Sequence, residues 1–260
     1  MMNLADATRD PALETRLVRL LDGARLGRPV HAFQSLDSTM DEAHRLASGG
    51  AQEGTLVVAI QQVRGRGRLG RTWVSPEGGA YGSIILRPKR STAAPQLSLV
   101  AGLAAAQTIR DAAGLYPSIR WPNDLLLNSR KVGGILTEAR GAAVVVGIGM
   151  NVTTDPNDLP EGSTSLAAEG ARHCSQEEIL AGLCRHFSTW YDQWTAQGFE
   201  PIRDALRPWI GLFGQVVHVS AGSVEFEGTA TDLDESGRLV VRLDSGVLRA
   251  FDVGEVTLLR

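Results

Sequence analysis

The chain has 260 residues, with 43% hydrophobic and 21% charged residues and a formal net charge of -3. This is the profile of a soluble globular protein with a sizeable core, long enough for one large domain and a small one. The slightly acidic balance argues against a general nucleic-acid binder, which is normally basic. No apolar run is long enough to span a bilayer, no signal-peptide core opens the chain, and two cysteines offer no disulfide framework, so a reducing, cytoplasmic setting is expected.

In chain order, Leu13, Leu17, Leu20 and Leu21 recur at helical spacing behind Pro11, making residues 1–29 a helical extension too short for a complete winged-helix DNA-binding domain. Val30 to Leu36 reads as a strand. Asp37-Ser38-Thr39 then offers helix caps before Met40, Ala43, Leu46 and Ala47, with Gly49-Gly50 as the stop. Thr55 to Ile60 is a β-branched apolar run, hence a buried strand. Thr72 to Ser75, a turn at Pro76 to Gly79, and a strand over Tyr81 to Leu86 predict a pairing around that turn. Residues 95–113 are rich in Ala and Leu, as in a largely buried helix.

Ile119 to Trp121 leads into Pro122-Asn123-Asp124, and Leu125 to Leu127 into a turn at Asn128-Ser129-Arg130. Lys131 to Glu138 and Ala142 to Ile148 form a further strand pair. Residues 153–165 lack periodicity and read as a mobile loop. Ser175 and Glu178 fit a capping box for a helix carrying Ile179, Leu183, Phe187, Trp190 and Trp194. A short helix ends near Trp209. After a composition change at Gly211 to Gly214 come five short strands, 216–219, 224–232, 239–243, 247–251 and 255–259, the pattern of a small barrel.

Arg64-Gly65-Arg66-Gly67-Arg68-Leu69-Gly70-Arg71 concentrates four guanidinium groups in eight residues. Like charges ~4 Å apart repel by several kcal/mol at an effective dielectric of ~20. Such a cluster either splays into solvent, as in an RNA-binding RG patch, or converges on an anion. Gly65, Gly67 and Gly70 match a dinucleotide fingerprint in spacing, but strand and turn residues follow where that fingerprint needs a helix. Glycines also interrupt the apolar strands at Gly133-Gly134 and at Gly147 and Gly149. They signal either strand crowding or close approach of a ligand. His173, Cys174, Cys184 and His186 lack the paired spacing of a zinc site and read as structural.

The succession GRGRLGR, RWPNDLLL, KVGGIL and GIGMNV resembles the catalytic domain of biotin protein ligases, and with the C-terminal strands the likeness covers nearly the whole chain. The resemblance implies an α+β fold: a mixed sheet with helices like that of class II aminoacyl-tRNA synthetases over 1–212, then an SH3-like barrel over 213–260. It implies that biotin and MgATP give biotinyl-5′-AMP, whose biotinyl group passes to a lysine of a biotin carboxyl carrier domain. Lys131, Arg66 and Arg68 are then the catalytic cations. Ser38, Thr39 and Gln62 hold the ureido ring. Gly65, Arg66, Arg68, Trp73, Lys131, Gly134, Leu136, Gly147 and Gly149 complete the biotin site. Arg68, Arg71, Arg120, Asn123, Asp124, Lys131 and Asn151 handle the nucleotide. Magnesium is expected only with ATP, near Asp124, with no metal in the free protein, and the 153–165 loop is expected to close over the adenine. Two departures stand out, Arg120 in place of the family's usual lysine and Met40 in place of an asparagine. Without a DNA-binding domain, the reading is a monofunctional enzyme compatible with homodimer formation. Its rivals are a lipoate or octanoate ligase or transferase of the same fold and, from another class, an RG-loop RNA-binding module.

Overall fold

The computed structural model describes residues 7–89, 94–171, 174–221, 224–252 and 255–258. Eight strands form one mixed sheet: β1 (Thr8–Arg9), β2 (Val30–Leu36), β3 (Leu56–Gln62), β4 (Gly79–Leu86), β5 (Ser118–Arg120), β6 (Asp124–Leu127), β7 (Arg130–Arg140) and β8 (Ala143–Asn151), in the order β1-β2-β3-β4-β8-β7-β6-β5. Only β2 and β3 run parallel. A parallel pair needs a crossover, and α2 (Thr39–Ser48) supplies it.

The sheet is covered on both faces. On one lie α1 (Pro11–Leu20), the apolar α3 (Ala94–Ala113), α4 (Gln176–Gln197) and α5 (Glu200–Leu206), which share a large core with Ile84, Ile135, Val146 and Ile148. On the other, α2 packs Met40, Ala43 and Ala47 against Phe33, Val57, Ile85 and Val145. Alternation along β7 explains the division: Ile135 enters the large core, whereas Gly134, Leu136 and Glu138 lie on the α2 face. An irregularity in the β6–β7 register shifts the phase before Gly133, so Val132 also enters the large core and Lys131 comes to the α2 side. α4 begins with the expected capping box, Ser175 accepting from the Glu178 N–H and Glu178 accepting from that of Ser175.

Five further strands, β9 (Val216–Ala221), β10 (Val224–Leu233), β11 (Leu239–Leu243), β12 (Leu248–Phe251) and β13 (Glu255–Leu258), form an antiparallel sheet in the order β12-β11-β10-β9-β13. Val217, Val219, Leu239 and Val241 belong to the same hydrophobic cluster as the helices of the first sheet. The Trp121 indole N–H also donates to the Gly237 carbonyl at 3.1 Å. None of the helices among the described residues is long and apolar enough to cross a membrane.

One strand expectation differs. Residues 72–75 do not form a strand hairpin with β4; they contribute only the bridges Arg66–Thr72 and Gln62–Ser75. β4 pairs instead with β3 and β8, which offer longer apolar partners. The 72–75 segment is thereby left free to fold back over the end of the sheet.

Candidate active site

A cavity of about 250 Å³ opens on the α2 side, where the arginine loop folds over β7 and β8. Its floor is made by absent side chains. Gly134 stands opposite Gly149 and Leu136 opposite Gly147. A Cβ on Gly149 would lie 2.6 Å from the Trp73 indole, and one on Gly147 would lie 2.5 Å from Met40 Sδ. The strand glycines therefore accommodate two large side chains of this chain, Trp73 and Met40. Trp73 itself depends on Gly65, where a Cβ would lie 2.3 Å from the Trp73 carbonyl oxygen.

At one end, polar groups are held in a fixed chain. Gln62 Oε1 accepts from the Thr39 N–H at 2.8 Å and from the Thr39 hydroxyl at 3.1 Å. Gln62 Nε2 donates to Ser75 Oγ at 2.9 Å, and Ser83 Oγ to Thr39 Oγ1 at 2.8 Å. With its carbonyl oxygen occupied on one side and its amide nitrogen on the other, Gln62 is locked in one flip state.

The other end is cationic. The two-residue turn between β6 and β7 uses positive φ at Asn128 and Ser129 and delivers Lys131 beside Asp124. Lys131 Nζ lies 2.7 Å from Asp124 Oδ1, Arg120 Nη2 lies 2.7 Å from Asp124 Oδ2, and Lys131 Nζ sits 5.3 Å from the Trp73 ring centroid. Arg68 Nη1 donates to Asn123 Oδ1 at 2.7 Å, while Asn123 Nδ2 donates to the Ile135 carbonyl at 3.1 Å. Burial pushes the Arg68 guanidinium below its ordinary pKa; nearby Asp124 opposes this and Arg71 reinforces it. Three cations around one carboxylate leave positive charge in excess inside a recess, the electrostatic setting of a polyanion site.

Thr39, Gln62, Arg66, Arg68, Arg71, Trp73, Arg120, Asn123, Asp124, Lys131, Gly134, Leu136, Gly147 and Gly149 all line this cavity, as do Met40, Trp121, Ile148 and Val256 of the second sheet. Three expected residues do not. Gly65 backs Trp73 and Ser75. The Asn151 amide donates to the Thr164 carbonyl, leaving its Oδ1 buried with no partner among the described residues. The Ser38 hydroxyl is likewise buried and unpartnered at the start of α2, behind Thr39.

The loop arginines take different partners. Arg64 pairs with Asp37. Arg66 lines the cavity, but its guanidinium is taken by Glu138 at 2.5 Å and Asp41 at 2.9 Å. Those two carboxylates were invisible as site residues from sequence. The available signal is that Glu138 is charged yet follows Gly134 and Leu136 on one face of an apolar strand. The 153–165 segment is also tied down more than expected. The Lys131 N–H donates to the Gly162 carbonyl at 2.8 Å, and the Thr164 N–H donates to the Lys131 carbonyl at 2.9 Å. Cys184 is buried, its thiol pushed up to about 12, and Cys174 rises to about 11 for the same reason. His186 pairs with Asp111, and His173 lies outside the described residues.

Residues 32–155 match the biotin/lipoate A/B protein ligase family, and residues 212–259 match the biotin protein ligase C-terminal domain. The chain is 37% identical over 237 residues to the bifunctional ligase/repressor BirA of Bacillus subtilis, covering 87% of this chain and 73% of that protein. It is 39% identical over 223 residues to the biotin–[acetyl-CoA-carboxylase] ligase of Paracoccus denitrificans, covering 81% and 92%. Among solved structures, the biotin protein ligase of Aquifex aeolicus in complex with biotin and ATP aligns with a TM-score of 0.78 at 29% identity, covering 90% of this chain and 99% of that one.

Proposed function

The chain belongs to the biotin protein ligase family, and from that premise we propose how its cavity carries out ATP-dependent biotinylation of a carrier-protein lysine. The observation that carries the reading is the polarity of the cavity. A locked hydroxyl–amide pair stands at one end, an apolar glycine-floored slot lies between, and Lys131, Arg68 and Arg120 stand at the other. Biotin has the same order: a ureido ring that both donates and accepts, an apolar bicycle and tail, and a carboxylate.

The ureido ring binds Thr39 and Gln62, with Ser38 behind them. Trp73, Leu136, Gly134 and the β8 glycines contact the apolar part. The carboxylate arrives at Lys131, where it must attack the α-phosphate of ATP, one anion approaching another. Lys131 stands between the two as a compact point charge, and Arg68, Arg71 and Arg120 take the phosphate oxygens. Preorganised cations of this kind stabilise charge that builds up in the transition state. Attack forms the carboxyl–phosphate anhydride and releases pyrophosphate. The carrier lysine amine then attacks the anhydride carbonyl and AMP leaves, so no nucleophile on the enzyme is required.

Magnesium would arrive with ATP as the counter-ion of its phosphates. Asp124, held by Lys131 and Arg120 at the cationic end, is the carboxylate that would meet it, since magnesium needs only one or two carboxylates beside substrate phosphates. Asn123 and Asn151 serve the nucleotide, Asn151 by holding the 153–165 segment through Thr164. The finer architecture belongs to the same proposal: a class II synthetase-like sheet through residue 212, and an SH3-like closure of the second sheet over 213–260 that presents Val256 to the cavity.

Radiolabelled pyrophosphate exchange into ATP tests the reading. Exchange is expected with biotin and not with lipoate, and Lys131→Ala is expected to lower it by ~10²–10³-fold, as for loss of one preorganised charge donor. Exchange with lipoate alone, or a near-normal rate in the alanine variant, overturns the assignment. An RNA-binding reading is disfavoured because Arg66 and Arg68, in the middle of the loop, turn into the cavity and engage Asp41, Glu138 and Asn123 rather than splaying into solvent.

A further inference from the structure

The α2-facing row of β7 ends in a charge. Gly134 lies under Trp73, and Leu136 faces Gly147 beneath Met40; Glu138 follows, opposite Val145. Four donors converge on the Glu138 carboxylate. Arg66 Nη2 reaches Oε1 at 2.5 Å and Arg66 Nη1 reaches Oε2 at 3.2 Å, a two-pronged contact. His44 Nε2 lies 3.1 Å from Oε2, and Arg140 Nη2 lies 3.1 Å from the same oxygen. Asp41, one turn before His44 on α2, takes Arg66 Nη1 at 2.9 Å. Burial, assisted by Arg140, lowers the His44 pKa against the opposing pull of Glu138. His44 is therefore a neutral N–H donor at neutral pH, and Arg66 and Arg140 are the charges that balance the two acids.

Arg66 sits in the middle of the glycine-rich loop, and its planar guanidinium fixes direction as well as distance when gripped on two prongs. Anchored at the loop on one side and at Glu138 on the other, Arg66 lines the cavity together with Met40 and Leu136. We infer that Glu138, assisted by Asp41, is a positioning residue for biotin binding: it latches Arg66 so that the arginine loop stands over the pocket before either substrate arrives. Arg66 then serves biotin through its stem and backbone, while its charge is spent on the latch. The inference rests on the cavity being the biotin site. The side chains of the pair are 32% and 23% exposed, so water still screens part of its charge. Its effect is local, on a loop whose glycines otherwise leave it many conformations.

The test compares the wild-type protein with Glu138→Gln, Arg66→Ala and the double variant. Three quantities are read: the biotin KM in ATP–pyrophosphate exchange, the rate of tryptic cleavage after Arg68 and Arg71 in the free protein, and the melting temperature. Glu138→Gln is expected to raise the biotin KM about tenfold with a much smaller change in kcat, to speed loop cleavage, and to leave the melting temperature nearly unchanged. If Glu138 acts through Arg66, the double variant is no worse than the worse single one. Additive KM effects, unaltered loop cleavage, or a global loss of stability overturns the latch. Absence of biotin-dependent exchange in the wild-type protein would instead overturn the functional reading, and the proteolysis arm would still report on the latch.

Discussion

At Gly149 and Gly147 a single added methyl group distinguishes two kinds of closeness. The Cβ of Gly149→Ala would come within 2.6 Å of both Trp73 Cε2 and Nε1. A rigid indole cannot yield locally, so the whole ring must move, along with the Lys131 ammonium above it. At Gly147→Ala the nearest atom is Met40 Sδ at 2.5 Å, near the end of a flexible thioether chain that can change rotamer. Overpacking a well-filled site costs typically about 1–3 kcal/mol. Gly149→Ala is expected to raise the biotin KM by about an order of magnitude or more and to lower kcat, whereas Gly147→Ala changes KM only a few-fold. Titration of biotin in the exchange assay ranks the two, and equal effects would show that Trp73 is not the fixed floor. From sequence these glycines could be read only as crowding or ligand approach. Which applied depended on two residues far away in the chain, Trp73 and Met40, and in this structure the crowding by side chains creates the floor on which a ligand can rest.

Strand and helix positions were largely legible because they are set locally. Val30–Leu36 and Leu239–Leu243 agree with their apolar runs to the residue, and the cap at Ser175 fixes the start of α4. What escaped was anything decided by a distant partner. Residues 72–75 have strand-forming composition, yet β8 is the better neighbour for β4. The 153–165 segment has the composition of a free loop, yet it is stitched to Lys131. Glu169 shows the cause. Its carboxylate accepts from the Thr164 hydroxyl at 2.6 Å, the Asn128 amide at 2.6 Å and Arg130 at 2.5 Å, joining that segment to the β6–β7 turn which presents Lys131. Burial opposes ionisation of Glu169, but the Thr164 and Asn128 hydrogen bonds and the Arg130 charge outweigh it, leaving its pKa below the ordinary glutamate range. A depressed carboxylate pKa contributes stability above the unfolded-state value that is lost as pH falls through the folded-state value. Glu169→Gln turns an amide donor towards the Asn128 donor and is expected to cost about 1–2 kcal/mol at pH 7. As pH falls below the ordinary glutamate pKa the gap to wild type should narrow, and it should close below the lower folded-state value, where the native carboxyl is protonated too. Denaturant titrations at pH 7 and at acid pH check this; a gap that does not change with pH would rule out the ionised carboxylate as the source.

Across the whole molecule, the two sheets are less separate than the composition change near Gly211–Gly214 implies. Val217, Val219, Leu239 and Val241 are fully buried in the same cluster as the helices of the first sheet, and Leu99 and Phe199 both lie against Gly237. The Gly237 carbonyl in turn fixes the Trp121 indole, one residue before the Pro122-Asn123-Asp124 turn that orients Arg68 and Lys131. Removing residues 213–260 would leave that indole N–H without its acceptor and uncover apolar surface at Leu99 and Phe199. Each square ångström of that surface is unfavourable by roughly 25 cal/mol in water. A fold whose parts bury one another in this way unfolds together. Calorimetry of the full chain at neutral pH is therefore expected to show one transition with calorimetric and van't Hoff enthalpies in agreement. A chain ending at Leu212 is expected to lose cooperativity and exchange activity together. Two resolved transitions, or a truncated chain that still supports biotin-dependent exchange, would make the second sheet an appended domain. One shared transition makes it part of the wall that holds the anion-binding turn in place.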